Sequence, residues 1–106
     1  MIRLEHDKKE AAIVAWDLHT HAIVGLLYYR IVPSSVEITG LFVNKGRRRR
    51  GTASKMFETL FSLYSPPFFV TTLIGNHPAI ATYQSVGFKI CGRSRFEPVL
   101  VMEKLS

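Results

Sequence analysis

The sequence predicts an α+β domain in which two helices flank a central sheet that is mixed and largely antiparallel. Three observations carry this. Short β-rich runs occupy residues 12–43. The hydrophobic period turns helical directly after four consecutive arginines, Arg47, Arg48, Arg49 and Arg50. A second, shorter helical stretch opens at Asn76 and Pro78 and closes at Gly87, with two more strands after it.

Taken in order, residues 12–18 and 22–32 are strand-like runs, and the polar triplet His19, Thr20, His21 between them reads as a hairpin. Pro33, Ser34 and Ser35 make the next turn. Residues 36–43 then alternate, which puts Val36, Ile38, Gly40 and Phe42 on one face and Glu37, Thr39, Leu41 and Val43 on the other. Met1 to Glu10 leaves room for one short strand or one short helix. Beyond the arginines, Ala53, Met56, Phe57, Leu60, Phe61 and Tyr64 fall on one helical stripe, which Pro66 and Pro67 stop. Residues 68–74 form the next strand. Asn76 or His77 caps the second helix, with Pro78 in its first turn. Gly87 ends it, and Phe88 supplies the apolar contact of a C-terminal cap. Strands at about 88–94 and 99–104 complete the chain.

At 106 residues the chain is one domain, residues 1–106, able to bury about 65% of its unfolded surface. Neither repeats nor low-complexity tracts interrupt it. Hydrophobic residues at 47% and charged residues at 21% exclude a disordered or fibrous protein. The longest apolar run, residues 22–29, is far short of the roughly 20 residues of a membrane span. Cys91 is the one cysteine, which excludes an internal disulfide framework and a multi-thiolate zinc site. In a strand it reads as a small buried hydrophobe. With no apolar leader at the front, the expected location is the cytoplasm, and no membrane partner is expected.

The net charge is +6, from 14 basic and 8 acidic residues; removing the four consecutive arginines leaves 10 against 8. The basicity is one local device, and it favours an anionic partner. A turn feeding a helix start offers unpaired N–H groups and the positive end of the helix dipole, and Gly51 and Ala53 are small enough for an anion to approach. Two descriptions fit this segment alone: a diphosphate site, or a solvated basic loop before an ordinary helix.

Two motifs add to it. Arg48, Gly51 and Ala53 are spaced as a basic residue, two residues, Gly, one residue and a small residue, with Leu41, Phe42 and Val43 in the strand upstream. Further on, Asn76, Ala79, Tyr83, Gly87 and Phe88 follow the order Asn, two residues, Ala, three residues, Tyr, three residues, Gly-Phe. In both patterns, and in its final strand, the sequence resembles the GNAT superfamily of acetyl-CoA-dependent N-acetyltransferases over its last three quarters. The resemblance implies the GNAT fold and transfer of an acetyl group from acetyl-CoA, as co-substrate, to a primary amine. Leu41, Phe42 and Val43 would pair with the pantetheine arm. The amides of Arg48, Arg49, Arg50, Gly51, Thr52 and Ala53 would hold the pyrophosphate, with Asn76 and Tyr83 also at the cofactor. Glu37 stands where several members carry a general base, and Tyr83 where the family keeps the acid that protonates the leaving thiolate. A base is needed because an alkylamine, with pKa ~10.4, is about 99.9% protonated at pH 7.

Each assignment has a plainer counterpart. Glu37 also reads as a partly exposed strand residue paired with an arginine, and Tyr83 as a packing residue beside Ala79. His19 and His21 read as a solvated turn, and no metal site is expected. Other functions remain open: a catalytically weak acyl-CoA-binding protein of the same fold, or a basic nucleic-acid-binding module using Arg47, Arg48, Arg49 and Arg50. Against the last, no aromatic residues are interleaved with those arginines to stack bases.

Two departures from the family stand out. Lys45 replaces a common proline, and the chain lacks most of the usual N-terminal helical region between the first two strands. The acceptor side is therefore expected to be open, or completed by a second copy in a homodimer. Trp16, Leu26, Tyr28 and Tyr29 are the residues expected to line the uncovered sheet.

Overall fold

The computed structural model describes residues 1–48 and 51–106. Its strands are β1 (Ile2–Asp7), β2 (Ala12–Asp17), β3 (Ile23–Val32), β4 (Ser35–Val43), β5 (Phe68–Leu73), β6 (Lys89–Arg93) and β7 (Val99–Lys104). Helix α1 spans Thr52–Leu63 and α2 spans His77–Ser85, and a short 3₁₀ turn, Lys45–Arg47, precedes α1. The strands form one sheet in the order β1-β2-β3-β4-β5-β7-β6. All neighbours are antiparallel except β4 and β5, the pair that α1 connects by crossover. The front segment is a strand, and a turn at residues 8–11 leads from β1 straight into β2. Among the described residues no helix is long and apolar enough to cross a membrane.

Both helices pack on one face of the sheet. Met56, Phe57 and Leu60 of α1 are buried there against Ile13, Ala15, Leu27, Val36, Ile38, Phe68, Val70 and Met102. Each such side chain contributes about 1.5–3 kcal/mol by leaving water. Gly25 lets α1 lie close: a Cβ there would stand 2.9 Å from Met56 Cε. At the C-terminal end of α1, Tyr29 is buried, its hydroxyl bonded to His6 Nε2 at 2.5 Å and to the Tyr64 hydroxyl at 2.9 Å. Tyr29 therefore belongs to the helix-covered face, not to the bare one. The expectation fails because Tyr28 and Tyr29 are adjacent in β3 and point to opposite faces: Tyr29 shares the covered face with Gly25 and Leu27, and Tyr28 the bare face with Leu26.

The β3–β4 ladder carries a β-bulge on the β4 side. Tyr28 pairs with Gly40 while Tyr29 pairs with Ile38, so Thr39 is the extra residue. Strict alternation along residues 36–43 is thereby broken. Val36 and Ile38 face the core, but after the bulge Leu41 and Val43 pack against it, and Phe42 turns out to solvent. A second bulge sits in β6, where Ile90 pairs with Met102 and Gly92 with Val101, leaving Cys91 extra. β6 is an edge strand and Cys91 is exposed, not buried: an edge position covered by no helix gives a small apolar side chain nothing to pack against. The bare face of the sheet carries Trp16, Leu26 and Tyr28, as expected, together with Ile23 and Phe42.

Candidate active site

β4 and β5 hydrogen-bond only at Val36–Phe68, Glu37–Phe69 and Ile38–Val70 among the described residues. Beyond the bulge they diverge, so residues 39–43 of β4 face a gap where a neighbouring strand would otherwise lie. Strand divergence exposes peptide groups along that side, the arrangement that an extended, amide-containing ligand can complete by strand-like pairing.

A cleft of about 880 Å³ occupies this gap and runs to the start of α1, within the range of small-molecule sites. Leu41, Phe42 and Val43 form one wall, Arg47, Arg48, Gly51, Thr52, Ala53 and Ser54 the head, and α2 the other wall from Asn76. Gly51 caps α1 with φ 77°, in the left-handed region, and no side chain bonds to the cap. The first helical bond is Lys55 N–H to Gly51 C=O at 3.0 Å. The N–H groups of Thr52, Ala53 and Ser54 thus precede the helical ladder and open on the cleft. Thr52 itself is buried, which anchors this first turn in the core. Arg48 donates from Nε to Val43 C=O at 3.2 Å, joining the end of β4 to the turn. Asn76 accepts from Ala79 N–H at 3.3 Å and so caps α2. Arg49 and Arg50 lie outside the described residues.

A smaller cleft, about 300 Å³, adjoins the first along β4 and is lined by Arg30, Glu37, Ile38, Thr39, Gly40, Val70, Thr71 and Tyr83. Glu37 projects on the bare face, whereas Tyr83 comes from α2 on the covered face. Both reach one cleft because the strands between them have parted. The Tyr83 ring is seated edge-on against Phe57 and Phe88, with centroids at 6.1 and 6.0 Å. Burial pushes its phenol above the ordinary range, so the hydroxyl keeps its proton at neutral pH. Glu37 accepts from Arg30 at 2.9 Å, with side chains 37% and 63% exposed respectively. Both plainer descriptions are thus also true: Glu37 is paired with an arginine, and Tyr83 is packed.

The sequence model of the acetyltransferase (GNAT) family matches residues 1–88. The chain belongs to the GNAT family. Solved GNAT structures overlay on it closely at low identity, which shows a shared fold. The ribosomal-protein-S18-alanine N-acetyltransferase from Escherichia coli superposes with TM-score 0.73 at 14% identity, covering 93% of this chain and 70% of its own. PaiA N-acetyltransferase from Thermoplasma acidophilum, in complex with coenzyme A, gives 0.82 at 13%, covering 90% and 60%. Naa20 from Chaetomium thermophilum, in complex with a bisubstrate analogue, gives 0.75 at 22%, covering 90% and 65%. The chain therefore spans between 60% and 70% of the length of these three. No curated protein sequence matches it significantly.

Within this GNAT fold the structure gathers Leu41, Phe42, Val43, Arg48, Gly51, Thr52, Ala53 and Asn76 around the large cleft, and Glu37 and Tyr83 at the small one. Sequence reasoning passed over Pro78, Thr82 and Ser85, which line the large cleft from α2. Their i, i+4, i+7 spacing, opposite the apolar side with Tyr83, was the available signal.

Proposed function

We propose that this GNAT-family chain transfers the acetyl group of acetyl-CoA to a primary amine of a small molecule, peptide or protein. The observation that carries this is the divergence of β4 and β5, which opens one gap to Glu37, Tyr83 and the start of α1 together. Acetyl-CoA would supply an activated acyl group as a thioester. The residues present fit it: β4 has a free side for the pantetheine amides, and the amides of Thr52, Ala53 and Ser54 suit its diphosphate.

The chain's own groups would then manage two protons. Glu37 Oε takes one from the acceptor ammonium, directly or through water. Its contact with Arg30 does not preclude this, because exposed ion pairs are worth about 0.2–1 kcal/mol and an incoming ammonium competes with the guanidinium. Tyr83 Oη gives a proton to the departing sulfur and regains one, directly or through water, from the attacking nitrogen as the amide forms. Against a thiol pKa of ~8.5, an ordinary phenol near ~10 makes that transfer uphill by ~2 kcal/mol, and the burial that raises the Tyr83 phenol adds to this cost.

Binding without turnover is a second reading, favoured by the Arg30–Glu37 contact. A pH–rate profile separates the two. Glu37→Gln should lose roughly 10²–10⁴-fold in turnover near neutral pH, with the deficit shrinking at high pH as neutral amine becomes abundant. Tyr83→Phe should slow thiol release and leave CoA binding nearly unchanged. A Glu37→Gln enzyme with the wild-type rate and acidic limb would remove Glu37 from the mechanism. A nucleic-acid role has less support: the two arginines of the run within the described residues, Arg47 and Arg48, both bond internally.

The proposal extends to assembly. The bare face bearing Trp16, Ile23, Leu26, Tyr28 and Phe42 borders the small cleft, so a second copy covering it would also wall the acceptor side.

A further inference from the structure

Arg3–Glu5 and Arg30–Glu37 are surface pairs, with side chains 37–63% exposed. The pair between Asp17 and Arg47 is different, enclosed to 13% and 16%. Asp17 ends β2 on the helix-covered face, opposite Ile2. One carboxylate oxygen accepts the N–H groups of His19 at 2.7 Å and Thr20 at 2.9 Å, folding the hairpin. The other accepts from the Arg47 guanidinium. The Thr20 N–H, then Arg47, then the His19 N–H hold this carboxyl well below the usual carboxylate range, so the pair stays charged.

Arg47 closes the 3₁₀ turn and lines the head of the large cleft. The other ties on this turn run to the neighbouring β3 and β4. Asn44 N–H bonds to Val24 C=O at 2.8 Å, Asn44 Oδ1 accepts from Gly46 N–H at 3.0 Å, and Arg48 Nε reaches Val43 C=O. Of these contacts, the one that reaches past β3 to β2 is Asp17–Arg47. A turn fastened to β3 and β4 alone can still swing; a second fastening, to β2, limits that swing.

We infer that Asp17 is a positioning residue for the diphosphate end of the cleft: through Arg47 it fixes the turn Lys45–Arg47 and hence where the first amides of α1 meet the phosphates. Asp17 touches no ligand. Arg47, the first arginine of the basic run, is committed to a carboxylate of the chain itself. The inference rests on the acyl-CoA reading above.

The full-length ¹⁵N-labelled chain, titrated with CoA and separately with pantetheine, tests it. Pantetheine has the amide arm and lacks the diphosphate. Asp17→Asn keeps an oxygen for the His19 and Thr20 N–H groups and removes the charge. It should weaken CoA by on the order of tenfold and change pantetheine by less than about twofold, since only pre-organisation of the phosphate end is lost. Arg47→Gln, which leaves the hairpin acceptors untouched, should show the same split, and combining the two should add no further loss. Equal weakening of both ligands would mean general loosening and would overturn the inference, as would unchanged CoA affinity or additive losses. A wild-type chain that binds neither ligand would instead bring down the acyl-CoA reading, and this role with it.

Discussion

Replacing Gly51 separates backbone strain from ligand electrostatics in one series. Gly51 sits at φ 77°, and a Cβ added there would meet no atom within 4 Å among the described residues. Gly51→Ala therefore has room, and its cost is that of holding an L-residue in the left-handed region, about 1–2 kcal/mol. With an unfolding entropy of ~2.1 cal/mol/K per residue, that lowers Tm by roughly 4–9 °C in a chain of 106 residues. Gly51→Asn should lose less, because asparagine tolerates this conformation. Gly51→Glu carries the same backbone strain as alanine and adds a carboxylate at the head of the cleft. About 5 Å from one phosphate charge, the repulsion is ~0.8 kcal/mol in bulk water and ~3 kcal/mol at an effective dielectric of 20. Affinity for acetyl-CoA should fall by roughly 4- to 200-fold relative to Gly51→Ala, with far-UV circular dichroism near native and the Tm of the two variants similar. Thermal melts without ligand and calorimetric titration with acetyl-CoA supply both quantities. If Gly51→Glu binds as tightly as Gly51→Ala, the diphosphate does not sit at this helix start.

Two further outcomes are expected. Asp17 has its carboxyl lowered in the folded chain, so its stabilisation is full above the unfolded value of ~3.9 and is lost as pH falls toward the folded one. Urea midpoints of wild type and Asp17→Asn should thus differ by a constant amount above about pH 5 and converge below about pH 4; a gap that persists undiminished to pH 3 contradicts the pairing. Sedimentation equilibrium should detect a dimer, weakened by Tyr28→Lys on the bare face, and a monomer at high protein concentration argues against assembly through that face.

The elements were legible because each carries local chemistry. The α1 stripe is apolar at helical period, Pro66 and Pro67 forbid its continuation, and the Asn76 and Gly87 boundaries of α2 are capping residues acting within a few positions. The bulges were not legible, because nothing in the type of Thr39 or Cys91 distinguishes an extra residue from a paired one. A bulge is set by two strands at once, and the ladder partner is non-local. The error at Phe42 traces to this cause. The site shows the same division. Gly51 and Asn76 announce themselves through backbone requirements at helix starts, whereas Asp17 and Arg47 are 30 positions apart and carry no mutual signal in the sequence.

The feature that defeated alternation is the one that makes the site. Had β4 kept strict register, it could have stayed paired with β5 past Ile38, and Tyr83 on the covered face would be sealed from Glu37 on the bare face. The extra residue at Thr39 turns β4 aside, frees one side of residues 39–43 and lets groups from opposite faces share a cleft. The half proposed to hold acetyl-CoA thus depends on features internal to this chain: a bulge, a left-handed glycine and an enclosed ion pair. The acceptor half does not. With residues 8–11 turning β1 directly into β2, the side of the small cleft beyond Glu37 is bounded by exposed sheet, so under the proposed acetyl transfer the amine would be chosen by groups already there, Arg30, Thr39 and Thr71, or by whatever covers Tyr28 and Phe42. Substitutions at Arg30 or Thr71 should therefore alter which amine is used while leaving CoA affinity as it is, because neither residue lines the cleft that would hold the diphosphate and the pantetheine arm.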